Sequence, residues 1–196
     1  MLTVNIVLSG LGGQGILFMT KVLARAALTK GSKTMGAETH GMAQRGGVVE
    51  SAVVFGDADS TIISDAEADV LLGFEPSETL RALNKCNADT VVITNTAPLP
   101  PFTVAIGRGT YPDLDHLKRL IAEKTGRLIA FDAAELARAA GNIMSVNIVL
   151  LGALCQTAIL PVSDDMVRRA IQTRTKAAFV DTNLKAFDLG YQAAAA

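Results

Sequence analysis

The sequence predicts an α/β fold, Rossmann-like and doubly wound, with a mostly parallel sheet and helices on both faces. Three observations predict it. Short, β-branched apolar runs alternate with helical stretches along the chain, the pattern of a parallel sheet covered by helices. The first run, Val4–Ser9, ends in Gly10-Leu11-Gly12-Gly13-Gln14-Gly15 and opens a helix, the context in which a G-x-G-x-x-G loop gains meaning. The 196 residues show no repeat, low-complexity linker or shift in composition, so residues 1–196 are expected to form one domain.

The elements follow in order. Val4–Ser9 reads as a buried strand. Ile16–Thr29 reads as a helix closed by Lys30 and Gly31, a cation and a glycine where a helix C-terminus favours them. Ser32–Glu38 is a weaker strand, Thr39–Gly47 a glycine-rich loop, and Val48–Phe55 a strong strand with which Ser60–Ile63 could pair as a hairpin. Ala68–Gly73, Thr90–Asn95 and Arg127–Asp132 are further strands. Helices are expected at Ser77–Leu83, Leu114–Lys124, Ala133–Ala139, Ile143–Leu160, Asp164–Gln172 and Ala177–Tyr191. Pro98, Pro100 and Pro101 mark a loop, since proline cannot sit inside a helix.

The stretch Ile143–Leu160 is apolar almost all round. A helix with that pattern must be covered on every side, and Gly152 and Ala153 would let another backbone come close. The cover expected from the sequence is the second face of the domain plus another subunit, which in the isolated protein would be a second copy of the chain.

Composition narrows the function. Net charge is −1, Trp is absent and aromatic residues make up 5%. A nucleic-acid surface needs clustered cations and stacking rings, so none is expected. Charged residues make up only 19%, against roughly 25% in ordinary soluble domains. That deficit fits either a buried subunit interface or a sheet covered on both faces. Ile143–Leu160 carries Ser145, Asn147, Gln156 and Thr157 and reads as a core helix, not a membrane span. The first basic residue is Lys21, so the apolar run at the N-terminus lacks the charged start of a signal peptide. Two distant cysteines, Cys86 and Cys155, fit reduced thiols and a cytoplasmic location. They cannot supply a four-cysteine iron–sulfur or zinc site.

The glycine loop is the candidate site. Glycines tolerate φ > 0 and let a ligand approach the backbone. The free amides and dipole of the following helix favour an anion by ~0.3–1 kcal/mol. Gly10, Gly12, Gly13, Gln14 and Gly15 are therefore candidate binding residues for a phosphate. Glu38 lies 23 residues beyond Gly15, near the ~20 at which dinucleotide proteins place their ribose-binding acid. Three readings stay open at this point: a dinucleotide site, a site for another phosphate-bearing ligand, or glycines that serve only tight packing. Behind Glu38, the loop Thr39-His40-Gly41-Met42-Ala43-Gln44-Arg45-Gly46-Gly47 is expected beside the glycine turn. Arg45 could hold a phosphate or carboxylate, and His40 is a candidate for proton transfer.

These two blocks, Gly10–Ile16 and Glu38–Gly47, resemble the small subunit of 2-oxoacid:ferredoxin oxidoreductases, and within that family those acting on indolepyruvate. Asn147–Leu154, Asn183–Phe187 and Gly190-Tyr191 agree, so the resemblance spans nearly the whole chain. It implies a Rossmann-like subunit of an enzyme that converts a 2-oxoacid, coenzyme A and oxidised ferredoxin into acyl-CoA, carbon dioxide and reduced ferredoxin. It also implies a large partner subunit that carries thiamine diphosphate and the iron–sulfur clusters, while this chain holds neither. The resemblance leaves open what the glycine loop binds: a phosphate of coenzyme A is one reading, contact with the partner subunit the other. The alternative is a stand-alone NAD(P)-binding Rossmann protein. It would have to assemble its own catalytic set in a chain with two histidines, His40 and His116, and no second domain.

Overall fold

A computed structural model describes residues 3–40, 46–100, 104 and 106–195 of the protein. The strands are β1 (Val4–Leu11), β2 (Thr34–His40), β3 (Val48–Phe55), β4 (Val70–Gly73), β5 (Val91–Asn95) and β6 (Arg127–Phe131). The helices used below are α1 (Ile16–Lys30), α2 (Pro76–Arg81), α3 (Leu114–Lys124), α4 (Ala133–Ala140), α5 (Val146–Gln156), α6 (Asp164–Arg174) and α7 (Val180–Ala195). Short 3₁₀ turns cover Ala82–Lys85, Ile143–Ser145 and Ala177–Phe179.

The six strands form one sheet in the order β2-β3-β1-β4-β5-β6. β1, β4, β5 and β6 pair in parallel. β3 alone runs the other way, antiparallel to both β1 and β2. Its reversal follows from chain length: too few residues separate His40 from Val48 for a crossover, so the chain turns straight back. The expected α/β class and helices on both faces hold, with this hairpin forming one edge of the sheet beside β1.

Two apolar cores flank the sheet. The thicker one packs Ile6, Leu8, Val53, Phe55, Val70, Leu72 and Ile93 against α1 and the C-terminal helices. The thinner one packs Val7, Val54, Leu71 and Val92 against Ala82, Leu83 and Ile121. The helices that follow β1 and β4 thus lie on opposite faces. The crevice outside the carboxyl ends of these neighbouring strands is where open α/β sheets bind ligands.

Three expectations need correction. Ser60–Ile63 forms no strand, because both edges of β3 are already paired. Ile63 instead plugs the thinner core. The apolar stretch Ile143–Leu160 is a shorter helix, α5, and every residue from Asn147 to Cys155 is buried within its own fold. The cover is α7, not a second subunit. A Cβ on Gly152 would stand 2.0 Å from the Phe187 carbonyl oxygen, and one on Gly190 1.8 Å from that of Val149. The close backbone read from Gly152 therefore belongs to the same chain. Lastly, the helix that begins near Ala177 continues through the alanine tail to Ala195. No helix among the described residues is long and apolar enough to cross a membrane.

Cys86 lies in the thinner core and Cys155 in the thicker one. Burial pushes the Cys86 thiol up to about 11 and raises that of Cys155 as well. The thiolate is the reactive form, so neither thiol of the native protein should react with a disulfide reagent at pH 8, and both should react after denaturation. Unfolded thiols ionise near pH 8.5 while the buried ones do not. Native stability should therefore decline as pH rises above that value, readable as a falling melting temperature.

Candidate functional site

The glycine loop is built by its own hydrogen bonds. Gly12 donates to the Gly47 carbonyl (2.8 Å) and accepts from the Gly46 amide (3.2 Å), which ties the loop to the start of β3. Gln14 folds back: its Oε1 accepts from the Leu11 amide (2.6 Å) and its Nε2 donates to the Phe74 carbonyl (3.1 Å). A Cβ on Gly10 would lie 2.6 Å from Gln14 Oε1 and 2.7 Å from Phe74 Cβ. Gly15 takes φ +82°, and a Cβ there would meet Asn147 Nδ2 at 2.4 Å; that amide donates to the Gly15 carbonyl (3.3 Å). Packing thus accounts for glycine at 10 and 15. Gly13 differs: it has φ +101°, and no atom of the described residues lies within 4 Å of a Cβ position. It is the exposed face of the loop.

Three hollows follow one another along this carboxyl edge. One of about 280 Å³ is lined by Gly12, Gly13, Gly15, Leu17, Glu38 and Val49. The second, about 420 Å³, lies between Gly13, Gln14, Asn95, the Ala97–Leu99 segment, Arg138 and the Ile143–Met144 pair. The third, about 360 Å³, runs from Met144 past Phe18 and Phe179 to Arg174 and Lys176. Gly13 joins the first to the second, and Met144 joins the second to the third. Among the large apolar side chains left exposed, Leu17, Leu99, Ile143, Met144 and Phe179 all line this edge. Such clustering marks an interaction surface more than scattered exposure does.

The structure brings Glu38 to the first hollow with the glycine loop. It pairs with Ser51 of β3, so one strand separates it from β1, unlike the adjacent second strand of a dinucleotide fold. His40 is the last residue of β2, in register with Val49. Arg45 lies outside the described residues. Sequence reasoning missed Glu75 and Asn95, which stand at the ends of β4 and β5 and are 2% and 4% exposed. A signal was present: Asn95 is the last residue of β5 and Glu75 lies two residues past β4, each a polar group at the carboxyl end of a mostly apolar strand.

The described residues do not fit a cluster or thiamine diphosphate. The two cysteines lie on opposite faces of the sheet, and no group of three or more His, Cys, Asp or Glu converges among the described residues. The first-turn amides of α1 have no helical acceptors, and beside them Gly13 is open and Arg138 supplies a cation. Those features suit an anion with an apolar body.

An open α/β domain whose carboxyl edge carries an apolar belt has the surface of a domain that packs against another chain. Comparison with known proteins agrees. Residues 5–193 match the family described as pyruvate ferredoxin/flavodoxin oxidoreductase. The chain is 45% identical to indolepyruvate oxidoreductase subunit IorB of Pyrococcus horikoshii, over 97% of this chain and 95% of that one. Its fold superposes on the gamma subunit of a keto/oxoacid ferredoxin oxidoreductase from Geobacter sulfurreducens with TM-score 0.72 at 24% identity, covering 98% of both chains. The 2-oxoglutarate:ferredoxin oxidoreductase of Magnetococcus marinus, solved with 2-oxoglutarate, coenzyme A and succinyl-CoA bound, matches with TM-score 0.75 at 21% identity. There the match covers 98% of this chain but 31% of that one. This chain belongs to the pyruvate ferredoxin/flavodoxin oxidoreductase family, as a small subunit of a 2-oxoacid:ferredoxin oxidoreductase. Nothing supports a stand-alone NAD(P) protein.

Proposed function

We propose that the enzyme this subunit completes acts on indolepyruvate or a related arylpyruvate. The 2-oxoacid, coenzyme A and oxidised ferredoxin yield acyl-CoA, carbon dioxide and reduced ferredoxin. The observation that carries the reading is the near full-length identity to an indolepyruvate oxidoreductase subunit. Thiamine diphosphate and iron–sulfur clusters belong to the large partner, where they supply decarboxylation and electron transfer.

This chain's part is to bind and orient coenzyme A. The glycine loop, Gly10, Gly12, Gly13, Gln14 and Gly15, faces a phosphate, with Arg45 as a second contact and Glu38 at the same hollow. The apolar second hollow and Arg138 take the rest of the molecule. His40 orients the loop it opens. The large subunit covers the belt of Leu17, Leu99, Ile143, Met144 and Phe179. Support for that arrangement comes from Magnetococcus marinus, where a domain of this fold is about a third of one longer chain.

Gly13→Ala tests the site in the assembled enzyme. The new methyl meets no atom of the described residues within 4 Å, so it acts on the ligand and through backbone strain of ~1–3 kcal/mol. The Michaelis constant for coenzyme A should rise about tenfold, which is a loss of ~1.4 kcal/mol, while that for the 2-oxoacid stays within about twofold. Arg45→Ala should shift the two constants in the same unequal way. Equal shifts in both would place these residues in assembly instead.

A further inference from the structure

The second hollow is framed by a hydrogen-bonded junction. The Phe74 carbonyl, just past β4, accepts from Gln14 Nε2 (3.1 Å) and from Asn95 Nδ2 (3.1 Å). Asn95 Oδ1 in turn accepts from the amides of Ala97 (3.1 Å) and Ala133 (3.0 Å). Glu75, the next residue after Phe74, caps α2 through the Glu78 amide (3.0 Å) with its Oε2. Its Oε1 accepts from the Leu99 amide (3.3 Å) and from the Tyr111 hydroxyl. Ends of three adjacent parallel strands are therefore linked, and the strip Ala97-Pro98-Leu99 is held at both ends. Asn95 fixes its start and Glu75 its finish. Between them Pro98 has a locked φ. This strip is one wall of the hollow; Ile143, Met144 and Val146 form another.

A buried carboxylate is costly unless its oxygens are satisfied. Here one oxygen serves a helix cap, as many do. The other is spent on the cleft wall and on a tyrosine more than thirty residues away in sequence. The core does not need that contact, because the Leu99 side chain is exposed. The hydroxyl is a dependable donor: burial, and then the hydrogen bond to Glu75, push the Tyr111 phenol up to about 12.

We propose that Glu75 and Tyr111 are positioning residues for the ligand cleft: the Tyr111 hydroxyl and the Leu99 amide share one Glu75 oxygen, which sets how far the Leu99 wall stands from Ile143 and Met144. Neither residue lines the hollow, so both act through the wall. The proposal rests on the reading that coenzyme A occupies this hollow.

The test uses the assembled enzyme with coenzyme A as the varied substrate. Tyr111→Phe removes only the hydroxyl, and Glu75→Ala removes the acceptor. Both should raise the Michaelis constant for coenzyme A, by about fivefold for Tyr111→Phe and more for Glu75→Ala, with turnover and the constant for the 2-oxoacid unchanged. Glu75→Gln keeps an acceptor oxygen and should recover part of the loss. A purely structural role would instead lower the yield of folded complex and leave the coenzyme A constant alone. Amide exchange gives a second readout that needs no ligand: Leu99 should exchange faster in Tyr111→Phe and Glu75→Ala than in the native subunit. If the coenzyme A constant rises in Gly13→Ala but not in Glu75→Ala, the positioning role is overturned while the site stands. If it moves in neither, although Leu99 exchange quickens, the coenzyme A reading fails and this inference fails with it. Unchanged Leu99 exchange in Glu75→Ala overturns the latch itself.

Discussion

Gly190→Ala is expected to cost the isolated subunit about 4 kcal/mol, toward or beyond the upper end for overpacking, and to lower its melting temperature by roughly 8–16 °C. The added Cβ would lie 1.8 Å from the Val149 carbonyl oxygen and 2.6 Å from its carbon. These are backbone atoms of a helix buried on all sides, so no side-chain rotation can relieve the clash. α5 and α7 must separate, and the packed faces of Val149, Gly152, Ala186 and Phe187 part with them. Gly152→Ala should behave alike from the other side of the contact, since its Cβ would meet the Phe187 carbonyl. Gly31→Ala is the control. Gly31 ends α1 at φ +74° with open space around a Cβ, so it carries only the strain of the left-handed region, about 1–2 kcal/mol. Thermal melts of the three variants decide the matter. A Gly190→Ala subunit no less stable than Gly31→Ala would mean that the two backbones are not in contact as described.

That contact also shows where a sequence informs and where it misleads. Gly152 announces a close backbone, and the backbone is there. What the sequence does not carry is whose it is. Hydropathy counts apolar area but not the element that covers it, and α7 hides its own small residues, Ala186 and Gly190, in a mixed stretch. A core enclosed by its own chain therefore reads as one covered in part by another subunit. The interface signal lies instead in single exposed residues, Leu17, Leu99, Ile143, Met144 and Phe179, which only the fold gathers on one edge.

The strands and their mostly parallel order were legible because β-branched runs and glycine ends are local. The reversal of β3 was not, since strand direction depends on pairing partners. It bears on the site, because β3 parts Glu38 from β1. Within the loop, the glycine pattern was plain but its division of labour was not. Gly10 and Gly15 face Gln14 and Asn147, the latter more than a hundred residues away, while Gly13 faces outward. Glu75 and Asn95 belong to no motif; their role appears only when the ends of β1, β4 and β5 stand side by side.

The second large effect concerns activity, and it is all or none. Decarboxylating a 2-oxoacid and passing electrons to ferredoxin needs groups for which the described residues offer no site: the two cysteines sit on opposite faces of the sheet, and no metal-ligand set converges among the described residues. What the chain offers is a crevice, a glycine loop open at Gly13 and an apolar belt. Both subunits should therefore be produced separately, the large one with its clusters and thiamine diphosphate in place, and assayed apart and together for coenzyme A-dependent reduction of ferredoxin by indolepyruvate. The account predicts no turnover by this chain, little by the large subunit, and full activity from a co-eluting complex of the two. Turnover by this chain alone, or full activity of the large subunit without it, would contradict the claim that the small subunit completes the active site.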